Sequence, residues 1–153
     1  MTPSSDFPVK ILFVCVGNSC RSQMAEAWAN HFGNGRVRAS SAGSHPLGVI
    51  TNDTYTVMSE KGISLDGQWS KRLRDVAVAE MDVVVGMGCS VECPLPEGFK
   101  GRVVEWNILD PYGHGIEAFR NVRDMIERQV LGLLADLLVP DVPDVPACPD
   151  AGG

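Results

Sequence analysis

The 153 residues, 44% hydrophobic and 21% charged, suit one compact domain with its own core and are too few for two of ordinary size. No apolar run approaches the roughly 18 residues that span a bilayer, and Asp6 with two prolines before the first apolar run does not read as a secretory signal, so a cytoplasmic protein is expected. The net charge of −6 weighs against a nucleic-acid surface or an anionic membrane as partner.

Residues 10–16 (KILFVCV) form a short run rich in apolar β-branched and aromatic side chains, as a strand buried on both faces requires. Gly17 ends it. From Ser22 onward, Met24, Ala25, Trp28 and Phe32 recur at helical spacing, and Gly33 and Gly35 mark a stop. A strand at 36–41, a helix within 51–61, an apolar strand at 82–87 and another at 102–106 follow. The last helix is the clearest, with Ile116, Phe119, Val122, Ile126, Val130, Leu133, Leu134 and Leu137 at three- and four-residue steps. Strands alternating with helices imply an α/β fold: an open parallel four-stranded sheet flanked by helices. Ligands bind such sheets beyond the carboxyl ends of the strands, which directs attention to the glycine loop after the first.

Residues 139–153 repeat Val-Pro-Asp with four of the ten prolines, and an extended or disordered tail is expected there. It carries Asp141, Asp144 and Asp150 without a lysine or arginine, so residues 1–138 hold 13 positive and 16 negative charges, a net of −3. The expected division is a catalytic domain at 1–138 and a tail at 139–153. The domain is only mildly acidic, which leaves room for an anionic substrate in a locally positive pocket.

The segment Cys15-Val-Gly-Asn-Ser-Cys-Arg21-Ser22 answers the needs of oxyanion chemistry. Gly17 permits a tight turn with inward N–H groups, and a helix beginning beside Ser22 aims its positive end at the same point. Arg21 supplies a planar fork for two anion oxygens. Amides, helix end and guanidinium together favour the thiolate of Cys15, a preactivated nucleophile at the strand end. Ser19 and Cys20 complete the loop, while Asn18 and Ser22 are suited to hold it and to hydrogen-bond the sulfur. Asp110, in the turn-like Asp-Pro-Tyr-Gly113, suits a general acid and equally a simple turn residue.

The five cysteines are odd in number and clustered, unlike a secreted disulfide framework. Cys89 and Cys93 follow the third strand and should emerge at the edge that holds Cys15; one helical turn between them brings their Cα atoms to roughly 6 Å, within disulfide range. Cys15, Cys20, Cys89 and Cys93 also form a nominal zinc set, but without a zinc-knuckle context, and zinc would leave the cradle unexplained. His31, His45 and His114 show no paired ligand spacing, so no metal and no cofactor are expected. Cys148 in the tail has no evident role.

The run Cys15 to Glu26 (CVGNSCRSQMAE) resembles the active-site loop of the low-molecular-weight protein tyrosine phosphatase superfamily, specifically its arsenate reductase branch. Gln23 stands where the phosphatases usually have proline, and Ser41-Ala-Gly43 and Asp110-Pro-Tyr-Gly113 match as well, so the resemblance spans residues 8–138. It implies arsenate as substrate, Cys15 as nucleophile, Arg21 as oxyanion ligand, Asp110 as general acid and thioredoxin as reductant of a Cys89–Cys93 disulfide. The stretch between those cysteines, Ser90-Val91-Glu92, is shorter than in many thioredoxin-linked members. The resemblance also allows Cys20 a protective disulfide with Cys15, beside its plainer reading as a packed thiol. It associates a potassium ion with positions matching Asn18, Glu26, Ser41 and an acid near Ser70-Lys71; here the acid is absent, and the expectation is that Lys71 takes the ion's place near Glu26 and Ser41. The alternatives are an aryl-phosphate or phosphotyrosine phosphatase using Cys15, Arg21 and Asp110, and a redox-switched or zinc-bound interaction module.

Overall fold

The computed structural model describes residues 8–88, 95–96 and 98–138. Cys89, Cys93, Cys148 and the proline-repeat tail lie outside the described residues. The elements run β1 (Val9–Cys15), α1 (Arg21–Gly33), β2 (Val37–Gly43), α2 (Asn52–Ser59), β3 (Val83–Gly86), β4 (Arg102–Glu105) and α3 (Ile116–Leu137). The strands form one sheet in the order β2-β1-β3-β4, with every adjacent pair parallel. This is the open parallel sheet that the alternating pattern implies. Cys15 pairs with Gly43 at the last rung of β1 and β2, and Gly86 with Glu105 at the last rung of β3 and β4, so all four carboxyl ends share one edge.

Successive side chains of a strand point to opposite faces, and β1 shows what its uninterrupted apolar run is for. Ile11, Phe13 and Cys15 enter the larger core, while Leu12 and Val14 enter a smaller one on the other face. Val83 and Val85 of β3 join the first set and Val84 the second. The larger core is completed by Met24, Ala25, Trp28 and Ala29 of α1, Val57 and Met58 of α2, and the α3 stripe Phe119, Val122, Ile126, Val130, Leu133 and Leu134. Burying an aliphatic or aromatic side chain of this size stabilises the fold by about 2 kcal/mol.

The three helices thus pack on one core, and the opposite face is covered differently. Two short 3-10 turns, Leu73–Asp75 and Val78–Glu80, lie over Leu12, Val14, Ala42 and Val84, with Leu95 and Phe99 beside them. Their apolar residues, Leu73, Val76 and Val78, follow no helical or strand period, which is why the pattern shows no element there. α2 is capped at its start by Thr51, whose hydroxyl accepts from Thr54 N–H. α1 stops at Asn34 and Gly35, which both take left-handed backbone angles. Among the described residues no helix is long and apolar enough to cross a membrane.

Candidate active site

The loop between β1 and α1 is shaped by what its carbonyls bind. Val16 O accepts from His45 N–H at 2.9 Å, Gly17 O from Leu47 N–H at 2.8 Å, and Ser19 O from Thr51 N–H at 3.3 Å and the Thr54 hydroxyl at 3.0 Å. Asn18 O accepts from the Gln23 side chain at 3.1 Å. A peptide is planar and trans, so carbonyls drawn outward to the 45–54 segment turn the following N–H groups inward. Asn18 N–H shows the result, donating to Cys15 Sγ at 3.3 Å. Gly43 lets the end of β2 come this close, since a Cβ there would meet Val16 O at 2.6 Å and Asn18 N at 3.1 Å.

The left-handed residue of the loop is Asn18, at φ 48, and not Gly17. Asparagine tolerates that conformation, and here its buried side chain is fixed on three sides. Its Nδ2 donates to Ser22 Oγ at 2.8 Å and Ser41 Oγ at 3.0 Å, and its Oδ1 accepts from Lys71 N–H at 2.9 Å. Ser22 Oγ, which accepts from Asn18, lies in hydrogen-bond contact with Cys15 Sγ at 2.9 Å and can donate to it when the sulfur is a thiolate. A hydroxyl at the start of α1 and a loop amide therefore converge on the sulfur.

Arg21 opens α1 and turns its guanidinium back under the loop, nearly fully buried. Nη1 donates to Met87 O at 2.6 Å and Ile108 O at 3.0 Å. Nη2 lies 3.8 Å from Asp110 Oδ2, and Nε is buried without a partner among the described residues. Asp110 is more exposed, and its Oδ1 accepts from Tyr112 N–H at 3.1 Å, closing the turn expected of Asp-Pro-Tyr-Gly. These groups meet in a cleft of about 180 Å³ lined by Cys15, Gly17, Ser19, Cys20, Arg21 and Asp110, with Val16, His45, Leu47 and Tyr112 as its remaining walls. A larger groove of about 730 Å³, flanked by Arg72 and Arg74, lies over the second face and has no cysteine among the described residues of its walls.

Cys20 shares the cleft but not the surroundings of Cys15. Burial pushes its thiol up, against hydrogen bonds with Thr51 and Ser19, so it stays a neutral thiol at pH 7. Behind the loop, Ser41 Oγ donates to Glu26 Oε1 at 2.7 Å. Burial raises the Glu26 carboxyl, opposed by that bond and by the charge of Lys71. Lys71 is lowered by burial and raised by Glu26. Its Nζ donates to Trp69 O at 3.0 Å and sits 4.3 Å over the Trp69 ring, so it acts on Glu26 through its field, without an ion pair. Asn18 Oδ1 accepts from the Lys71 backbone N–H, Ser41 gives its proton to Glu26, and the Lys71 ammonium lies near enough for its charge to act on Glu26.

The fold brings Cys15, Gly17, Ser19, Cys20, Arg21 and Asp110 to one cleft, with Asn18 and Ser22 bracing it from behind. Cys89 and Cys93 are outside the described residues. His45, Leu47 and Tyr112 are walls that the sequence pattern does not single out, though the first two follow directly on the Ser41-Ala-Gly43 match and the third lies inside Asp110-Pro-Tyr-Gly113. Gln68 and Trp69 are likewise unmarked, and Gln23, marked only as a departure from the phosphatases' proline, ties them to the loop: Gln68 Nε2 donates to Gln23 Oε1 at 2.8 Å, and Gln23 Nε2 reaches Asn18 O and Trp69 O.

The model of the low molecular weight phosphotyrosine protein phosphatase family matches residues 10–140. A glutaredoxin arsenate reductase of Synechocystis is 36% identical over 135 residues, covering 84% of this chain and 98% of that protein. The solved structure of an arsenate reductase in its phosphate-binding state is similar with a TM-score of 0.75 at 34% identity, over 84% of this chain and 98% of that one. A thioredoxin-dependent arsenate reductase of Corynebacterium glutamicum gives a TM-score of 0.73 at 28% identity, over 86% of this chain and 63% of its own.

Proposed function

The chain belongs to the low molecular weight phosphotyrosine protein phosphatase family, and from that membership and its cleft we propose that it reduces arsenate to arsenite with Cys15 as nucleophile. The observation that carries this reading is the convergence on one 180 Å³ cleft of a sulfur bonded to a serine hydroxyl and a loop amide, and a buried arginine whose Nε has no partner among the described residues. Arsenate and phosphate share charge and tetrahedral shape, so the cradle alone suits either. Relatives named arsenate reductases favour the first.

In the proposed sequence the Cys15 thiolate attacks arsenic, a hydroxyl leaves as water after protonation, and an S–As bond forms. Cys89 then attacks Cys15 Sγ; the S–As bond breaks, its electron pair stays on arsenic, and arsenite departs. Cys93 attacks Cys89, releasing Cys15 as thiolate, and an external dithiol reduces the Cys89–Cys93 disulfide. Two electrons pass from the dithiol to arsenic in each cycle. We assign thioredoxin as that dithiol, although the relatives' names include glutaredoxin as well as thioredoxin. Arg21 and the inward amides hold the oxygens, and Asp110 protonates the leaving one. Lys71 supplies the positive charge near Glu26, so activity does not depend on potassium. The test is thioredoxin-coupled arsenate turnover by wild type and Cys89→Ser, alongside aryl-phosphate hydrolysis. Loss of the first with retention of the second supports the relay, and unchanged arsenate turnover removes Cys89 from it.

A second reading, hydrolysis of aryl phosphates through Cys15, Arg21 and Asp110, is favoured by the cleft's rim. Leu47 and Tyr112 are 52% and 58% exposed and stand where an aromatic leaving group would lie.

A further inference from the structure

Among the described residues, Arg21 is hydrogen-bonded through one of its two guanidinium edges. Nη1 is taken by two backbone carbonyls, Met87 O and Ile108 O, which come from the ends of different connections after β3 and β4. Among the described residues the side of the guanidinium formed by Nε and Nη2 has no such lock: Nε is buried without a partner, and Nη2 has Asp110 at 3.8 Å. A guanidinium grips an oxyanion best through two parallel N–H groups, and Nε with Nη2 form such a pair. A buried donor left unpaired is costly, and an anion at this edge would satisfy it.

The carbonyl socket depends on Gly88. Its φ is +92, and a Cβ there would stand 3.0 Å from Arg21 Nη1 and 3.8 Å from Ile108 O. The segment is pinned around it: Met87 N–H donates to Val14 O at 2.8 Å, and Gly88 N–H to Glu105 Oε2 at 3.4 Å. A Cβ at Gly88 therefore requires Nη1 to give by a few tenths of an ångström, at the expense of its bonds to the two carbonyls.

We propose that Gly88, with the Met87 and Ile108 carbonyls, is a positioning element that fixes Arg21 by Nη1 so that Nε and Nη2 present a preset fork to the oxyanion. The inference rests on reading the cleft as an oxyanion cradle, and it makes Gly88 a determinant of substrate affinity without touching substrate. Removing the socket releases the guanidinium to other rotamers, and the anion then has to order it.

The probe is inorganic phosphate, read by its protection of Cys15 from iodoacetamide at pH 7, with the modified cysteine identified by peptide mass spectrometry. The proteins are the full chain, Gly88→Ala, and Gly62→Ala as control. Gly62 also has a left-handed φ, +73, but open space where a Cβ would go. Gly88→Ala should need about tenfold more phosphate for half-protection, the scale of losing one well-placed charge-assisted bond, and Gly62→Ala should stay within twofold. A folded Gly88→Ala with wild-type protection, or equal shifts in both variants, overturns the socket. Should Gly88→Ala fail to fold, the ¹⁵N-resolved Arg21 Nε–H signal of wild type decides: a shift on adding phosphate supports the fork, and an unmoved signal overturns it. Absence of any phosphate protection in wild type is a different result, which brings down the cradle itself and the socket with it.

Discussion

Asn18 is the residue on which the loop's geometry depends most, and replacing it separates two costs. Asn18→Ala removes the side-chain bonds to Ser22, Ser41 and Lys71 N–H, about 3 kcal/mol at about 1 kcal/mol each. It also leaves an alanine at φ 48, which adds about 1 kcal/mol for a side chain that makes no local bond. The sum of about 4 kcal/mol corresponds to a fall in Tm of about 8–16 °C for a chain of this size. Asn18→Gly loses the same bonds but not the steric cost, so it should be the more stable of the two by about 1 kcal/mol. Urea denaturation of the three proteins in phosphate-free buffer measures both differences. A loss below about 1 kcal/mol for alanine, or alanine as stable as glycine, would refute the assignment of Asn18 as the loop's brace.

The Glu60 carboxyl is held down to about 2 by hydrogen bonds from Arg120 and Arg123 of α3. A depressed carboxyl contributes stability above its unfolded value of about 4.3 and loses it as pH falls toward the folded value. Glu60→Gln should therefore be less stable than wild type at pH 7, with the gap closing between about pH 4 and pH 2; a gap independent of pH contradicts the ion-pair origin. Cys20→Ala should keep arsenate turnover within about twofold, since burial keeps that thiol neutral; a tenfold loss in the coupled assay would give Cys20 a role in the chemistry. Exchanging sodium for potassium should leave kcat/KM within about twofold, because Asn18, Ser41 and Lys71 already satisfy one another and Glu26. A several-fold rise with potassium would show a cation site.

The framework was legible because its signals are local and repeated. The apolar run of β1 alternates between two cores, and the α3 stripe recurs along 22 residues. The cradle was legible because Cys15, Gly17, Asn18, Arg21 and Ser22 are neighbours in the chain. One attribution differed: Gly17 was expected to supply the tight turn, whereas Asn18 adopts the left-handed angle and is fixed by residues 22, 41 and 71. What escaped the sequence acts through backbone or through distance. The carbonyls of Met87 and Ile108 that seat Arg21 have no side-chain signature, and both are far from it in the chain. The same holds for the 45–54 amides that turn the loop carbonyls outward.

The central claim is that Cys89 and Cys93 supply the two electrons that reduce arsenate, while Cys15 ends the cycle unchanged. Fully reduced protein is mixed with excess arsenate and no external reductant, quenched with acid, alkylated and mapped by mass spectrometry, with arsenite counted in the same sample. The account predicts one arsenite per chain, a Cys89–Cys93 disulfide and an alkylatable Cys15. Arsenite formed with both Cys89 and Cys93 still free, or all thiols free and no arsenite released, would contradict it.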